Sequence, residues 1–111
     1  MKKISIVAVF ALLVSCVSVK LAIPTQEDVD RANKFPDYTL ADLNLGKAHF
    51  EQKCGSCHGL KKPTSRTEEQ WNKIVPRMVH KANKKTLKID EGQQELILKY
   101  LVTMSSAPKK K

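Results

Sequence analysis

The chain has 111 residues and a formal net charge of +9, enough for one small domain and little more. Such a balance suits nucleic acid, an anionic membrane or an acidic protein. Aromatic residues at 5% are too sparse for the stacking that base recognition uses, which argues against nucleic acid. Three cysteines offer no disulfide framework.

Met1-Lys2-Lys3 opens the chain on positive charge, and Ile4 to Val14 is apolar except for Ser5. That run has the length of a signal-peptide core and is too short to span a membrane by itself. Leu13-Val14-Ser15-Cys16 resembles a bacterial lipobox. In a lipobox the chain is cut before the cysteine, which then carries acyl chains. Residues 1–15 are therefore expected to be a lipoprotein signal peptide. Their removal would leave 96 residues and lower the net charge to +7, because Lys2 and Lys3 go with them. The mature protein is expected to be exported and held to a membrane at Cys16, facing the periplasm or on the outer membrane.

Residues 16–38 carry Pro24, Pro36 and many polar side chains with no sustained period, and are expected to be a tether with at most a short helical turn from Asp28 to Lys34. A domain over residues 39–106 follows. Its first helix is expected from Leu40 to Lys53, with Leu40, Leu43 and Phe50 on one stripe. Gly46 inside it costs about 1 kcal/mol relative to Ala, so another helix is expected to cross closely there.

Cys54-Gly55-Ser56-Cys57-His58 reads C-x-x-C-H, the attachment pattern for a c-type haem. Two thiols at this spacing reach the two vinyl groups on one edge of the porphyrin, and the next imidazole lies under the iron. A dithiol redox site of the thioredoxin kind needs a βαβ setting that this sequence lacks. A structural zinc site needs a fourth ligand, from His49 or His80. An exported chain suits haem, whose attachment takes place beyond the inner membrane. Such a haem would enlarge a thin core, and the apoprotein is expected to fold poorly.

A second helix is expected from Glu68 to Asn83, after a capping box formed by Thr67 with Gln70 or by Ser65 with Glu68. Trp71, Ile74, Val75, Met78 and Ala82 form its apolar stripe, within an arc of about 100°. Pro76 should bend it. A third helix is expected from Glu91 to Ser105, with Asp90 as N-cap and Gln93 completing a box. Its buried face is Leu96, Ile97, Tyr100, Leu101 and Met104. Residues 107–111 end the chain as a basic tail.

From residue 40 to about 105 the chain resembles the small class I cytochromes c. The resemblance rests on Gly46-x-x-x-Phe50, C-x-x-C-H, Gly59-Leu60, Pro63 and the final helix with Tyr100-Leu101. It implies an all-α domain of about three main helices around one covalently attached haem c. It also implies a crossing of the first and last helices at a glycine–aromatic contact, here Gly46, Phe50 and Tyr100. His58 is the expected proximal ligand. The family's sixth ligand, a methionine in the loop before the last helix, has no counterpart in Lys84 to Ile89. Met78 is the expected replacement, since Trp71…Arg77-Met78 resembles a subgroup of short cytochrome domains in which this helix carries the methionine. Met78 also shares a face with Trp71 and Val75. His80 is the alternative, although it points away from that face; His49 and Met104 are further candidates. The resemblance implies that the Pro63 carbonyl accepts a hydrogen bond from His58. Arg66 and the Trp71 indole are candidate donors to haem propionates, or else a surface charge and a core aromatic.

The expected function is electron transfer, not enzymatic catalysis, to an acidic redox partner. The alternative is a haem-based gas sensor, which would follow if no side chain filled the sixth position.

Overall fold

The computed structural model describes residues 21–54, 60–85 and 87–108. Among the described residues four α-helices carry the fold: α1 (Gln26–Ala32), α2 (Leu40–His49), α3 (Glu68–Lys85) and α4 (Glu91–Ser105). α2 continues into a π-helical turn, Phe50–Cys54, and a 3-10 turn, Pro63–Ser65, precedes α3. The architecture is all-α, as expected. No strand occurs among the described residues, and none of their helices is long and apolar enough to cross a membrane.

Short polar side chains start three of the helices, each by satisfying backbone N–H groups that have no partner in the first turn. The Asp42 N–H donates to Thr39 Oγ1 (3.1 Å), and the Asp42 carboxylate accepts from the Thr39 N–H (3.1 Å). Before α3 the box that forms is Thr67 with Gln70, at 2.9 and 3.2 Å. The Ser65 hydroxyl instead donates to the Lys62 carbonyl (2.6 Å) and closes the 3-10 turn. Asp90 and Gln93 start α4 in the same reciprocal way. α3 runs through Pro76, which lies on its exposed side, and ends two residues beyond the expected Asn83. Asn83 then holds the connection to α4. Its amide donates to the Ile89 carbonyl (3.0 Å) and accepts from the Ile89 N–H (2.7 Å).

α4 is the central element, packed most extensively by α2 and then by α3. Leu43 and Phe50 from the first limb meet Ile97, Tyr100, Leu101 and Met104, and α3 adds Trp71, Val75 and Val79. At the α2–α4 crossing a Cβ on Gly46 would run into the Leu96 carbonyl oxygen and lie 2.8 Å from Tyr100 Cβ. The glycine therefore lets two backbones touch where any larger residue would hold them apart. Phe50 and Tyr100 pack beside it, ring centroids 5.7 Å apart.

The tether expected over 16–38 is corrected from Thr25 onward, because this stretch is folded against α4. The Asp28 carboxylate accepts from the Thr25 N–H (2.9 Å) and pairs with Arg31 (2.7 Å). Arg31 in turn donates to the Thr103 carbonyl (3.1 Å) and the Ser106 hydroxyl (3.2 Å), capping the end of α4. Burial pushes the Asp28 carboxyl up, but the hydrogen bonds from Arg31 and Thr25 outweigh it and hold the group below its ordinary range. Phe35 and Tyr38 stack edge to face at 5.5 Å, and the Lys99 ammonium of α4 lies 5.1 Å from the Phe35 centroid. Val29, Phe35 and Tyr38 also pack against the core, but they follow no helical period, so the segment has no apolar stripe by which to announce itself.

Candidate functional site

The expected attachment site begins where α2 changes its winding. From Phe50 the backbone shifts to π-helical turns, and Cys54 closes them. Such segments are rare and often mark functional positions. The Phe50 ring is buried against Tyr100, whereas Cys54 is half-buried at the margin of the core. Cys57 and His58, expected to supply the second thioether and the proximal ligand, lie outside the described residues, as does Cys16.

Beyond the motif the chain returns through Leu60 and Lys61 to the buried Pro63 and then into α3. Three pieces thereby wall a cavity of about 210 Å³: Phe50 and Cys54 from the π turn, Leu60, Lys61 and Arg66 from the connection, and Trp71, Ile74 and Met78 from α3. Trp71, Ile74 and Met78 recur at helical spacing, which puts them on one side of α3. Five of the eight lining residues are apolar. Two sulfur-bearing residues line the cavity, Cys54 and Met78, and its two cations are Lys61 and Arg66.

The remaining candidates separate by position. His80 is exposed on α3 and Met104 is buried in the core; neither lines the cavity. His49 is half-buried at the end of α2, also away from it, and its Nδ1 finds no partner among the described residues. The Trp71 indole N–H donates to the Pro63 carbonyl at 2.8 Å in a buried bond. An indole has one donor, so in this arrangement Trp71 gives the cavity its ring and Arg66 supplies a guanidinium. The bond also anchors the 3-10 turn to α3, which fixes the distance between two walls of the site. The Pro63 carbonyl keeps a second lone pair for a further donor.

Phe50, Leu60 and Ile74 were legible as apolar residues but not as cavity walls, because nothing in their spacing tells core from lining. The residues present fit a haem. Apolar walls suit the macrocycle, a thiol suits thioether attachment, a thioether is a soft axial donor, and a guanidinium matches a carboxylate.

A family model described as dihaem cytochrome c matches residues 50–111, a span that takes in the C-x-x-C-H motif, α3 and α4. No curated protein and no solved structure matches the chain.

Proposed function

The chain belongs to the dihaem cytochrome c family, and on that premise we propose that it is a membrane-anchored electron carrier holding one covalent haem c within these 111 residues. The observation that carries the reading is that Cys54 and Met78 share one cavity with Trp71 and Arg66. Bound there, haem supplies an iron that accepts and returns one electron. Cys54 with Cys57 would fix the ring, and His58 and Met78 would hold the metal from the chain. Arg66 would offset propionate charge at the rim. Phe50, Leu60, Trp71 and Ile74 would exclude water. Iron held by both His58 and Met78 would leave no position for a substrate, which favours electron transfer over catalysis. Anchoring at Cys16 would keep the carrier beside membrane-bound donors or acceptors.

The family's description implies two haems, yet C-x-x-C-H occurs once here. Cys16 stands alone and belongs to the lipobox-like run. One haem per chain is therefore expected. Intact mass of protein made in a host with haem-attachment machinery, together with haem left on the chain after acid–acetone extraction, checks it. Two haem equivalents per chain, or complete extraction, overturns the reading.

A further inference from the structure

α3 carries a row of cations that its own stability does not call for. Lys73, Arg77 and Lys81 follow at four-residue intervals, all exposed, over about 12 Å of helix at 1.5 Å per residue. Like charges at that spacing repel and weaken a helix. Lys84 and Lys85 differ, since cations in the last turn complement the helix dipole. The only acids of α3, Glu68 and Glu69, lie in its first turn, and Glu68 pairs with Lys34 at 2.7 Å. Among the described residues no ion pair involves the three.

Their position gives the row a use. At 100° per residue they span about 80° of the helix surface, and Ile74 and Met78 come next, at about 100° and 140° from Lys73. Ile74 and Met78 line the cavity, which also takes in Lys61 and Arg66. The uncompensated charge therefore borders one wall of the cavity. A partner held on it is brought to the Met78 side, not the Cys54 side.

We infer that the Lys73–Arg77–Lys81 face of α3 is the docking surface for the acidic patch of a protein redox partner, with electrons crossing by the Ile74–Met78 wall. This rests on the electron-carrier reading. An anionic membrane would match the charge equally, but lipid seated there would cover the wall through which a partner exchanges electrons, so the protein partner is favoured.

The test uses the mature holoprotein in neutral detergent and an acidic blue-copper protein as probe. Two variants of equal net charge are compared with the parent, K73Q/R77Q/K81Q and K84Q/K85Q/K88Q. At about 10 mM salt, where screening is weak, the first should slow electron transfer to the probe roughly tenfold and flatten its salt dependence. The second should change it less than about threefold. The cationic oxidant tris(phenanthroline)cobalt(III) should oxidise all three proteins, and their spectra and potentials should agree. Equal slowing by both variants, or none, overturns the docking surface while leaving the carrier reading intact. Failure of the parent to react with either oxidant overturns the carrier reading itself. Loss of binding to phosphatidylglycerol vesicles by K73Q/R77Q/K81Q, with its rate to the probe unchanged, assigns the row to lipid and overturns the proposal.

Discussion

Met78 and His80 stand two residues apart on α3 and meet different surroundings. The thioether lines the cavity that holds Cys54, whereas the imidazole is exposed. A ligand must reach the iron without unwinding its helix, and of the two Met78 is the one that lines the cavity, which is why we propose it. Thioether ligation raises a haem potential relative to bis-histidine ligation. Met78→Ala should therefore lower the potential, remove the far-red absorption of a methionine-bound ferric haem, and let carbon monoxide bind quickly to the reduced protein. His80→Ala should change none of these. Optical titration and carbon monoxide mixing check both. The reverse pattern makes His80 the ligand, and silence from both variants restores the open-site sensor reading. Trp71 shows how one contact redirects a role. With its N–H on the Pro63 carbonyl, it braces the connection that carries Lys61 and Arg66 to the cavity.

At the scale of elements, the α2–α4 crossing is the contact least able to give. Gly46→Ala gains about 1 kcal/mol of helix propensity, yet its methyl meets the Leu96 carbonyl oxygen and Tyr100 Cβ. Those atoms belong to the backbone and the stem of a packed helix, not to a flexible tip. Overpacking of this kind costs about 1–3 kcal/mol. The variant should unfold at lower guanidinium concentration, by far-ultraviolet circular dichroism, with Gly46→Val worse than Gly46→Ala. This crossing was legible in the sequence, because a glycine inside an apolar stripe demands a close neighbour. α2, α3 and α4 were legible for a related reason. The boxes at Thr67 and Asp90 state where α3 and α4 start, and apolar stripes state the faces of all three. α1 was not. It has seven residues, and its anchor is an arginine whose acceptor, the Thr103 carbonyl, lies 72 residues away. Thr103 lies about 20° from Leu96 around α4 and is fully buried. The π turn has no sequence pattern at all; its place at Cys54 emerges only once α2 is seated on α4.

For the whole molecule, docking of α1 changes what the proposed anchor can do. A tether reaching to residue 38 would let the domain wander, whereas packing against the core already begins at Leu21. Between Cys16 and Leu21 lie four residues. Fully extended, they reach at most about 14 Å at 3.6 Å per residue, about half of a bilayer core thickness. A lipidated Cys16 would keep the cavity and the cationic face of α3 close to the membrane, within range of partners embedded in it. The anchor should be separable from the haem, because Cys16 lies outside the C-x-x-C-H motif. Cys16→Ser should move the protein from the membrane fraction to the soluble fraction or leave the signal peptide uncut. Any protein that is processed should keep its haem spectrum and potential. Lengthening residues 17–20 with a flexible insert should preserve membrane association and spectrum, while changing the rate of reduction by membrane-bound donors. Fractionation, amino-terminal mass and flash kinetics on native membranes read the three outcomes. Unaltered membrane association of Cys16→Ser, with a mature terminus elsewhere, would remove the lipoprotein reading and with it the short leash.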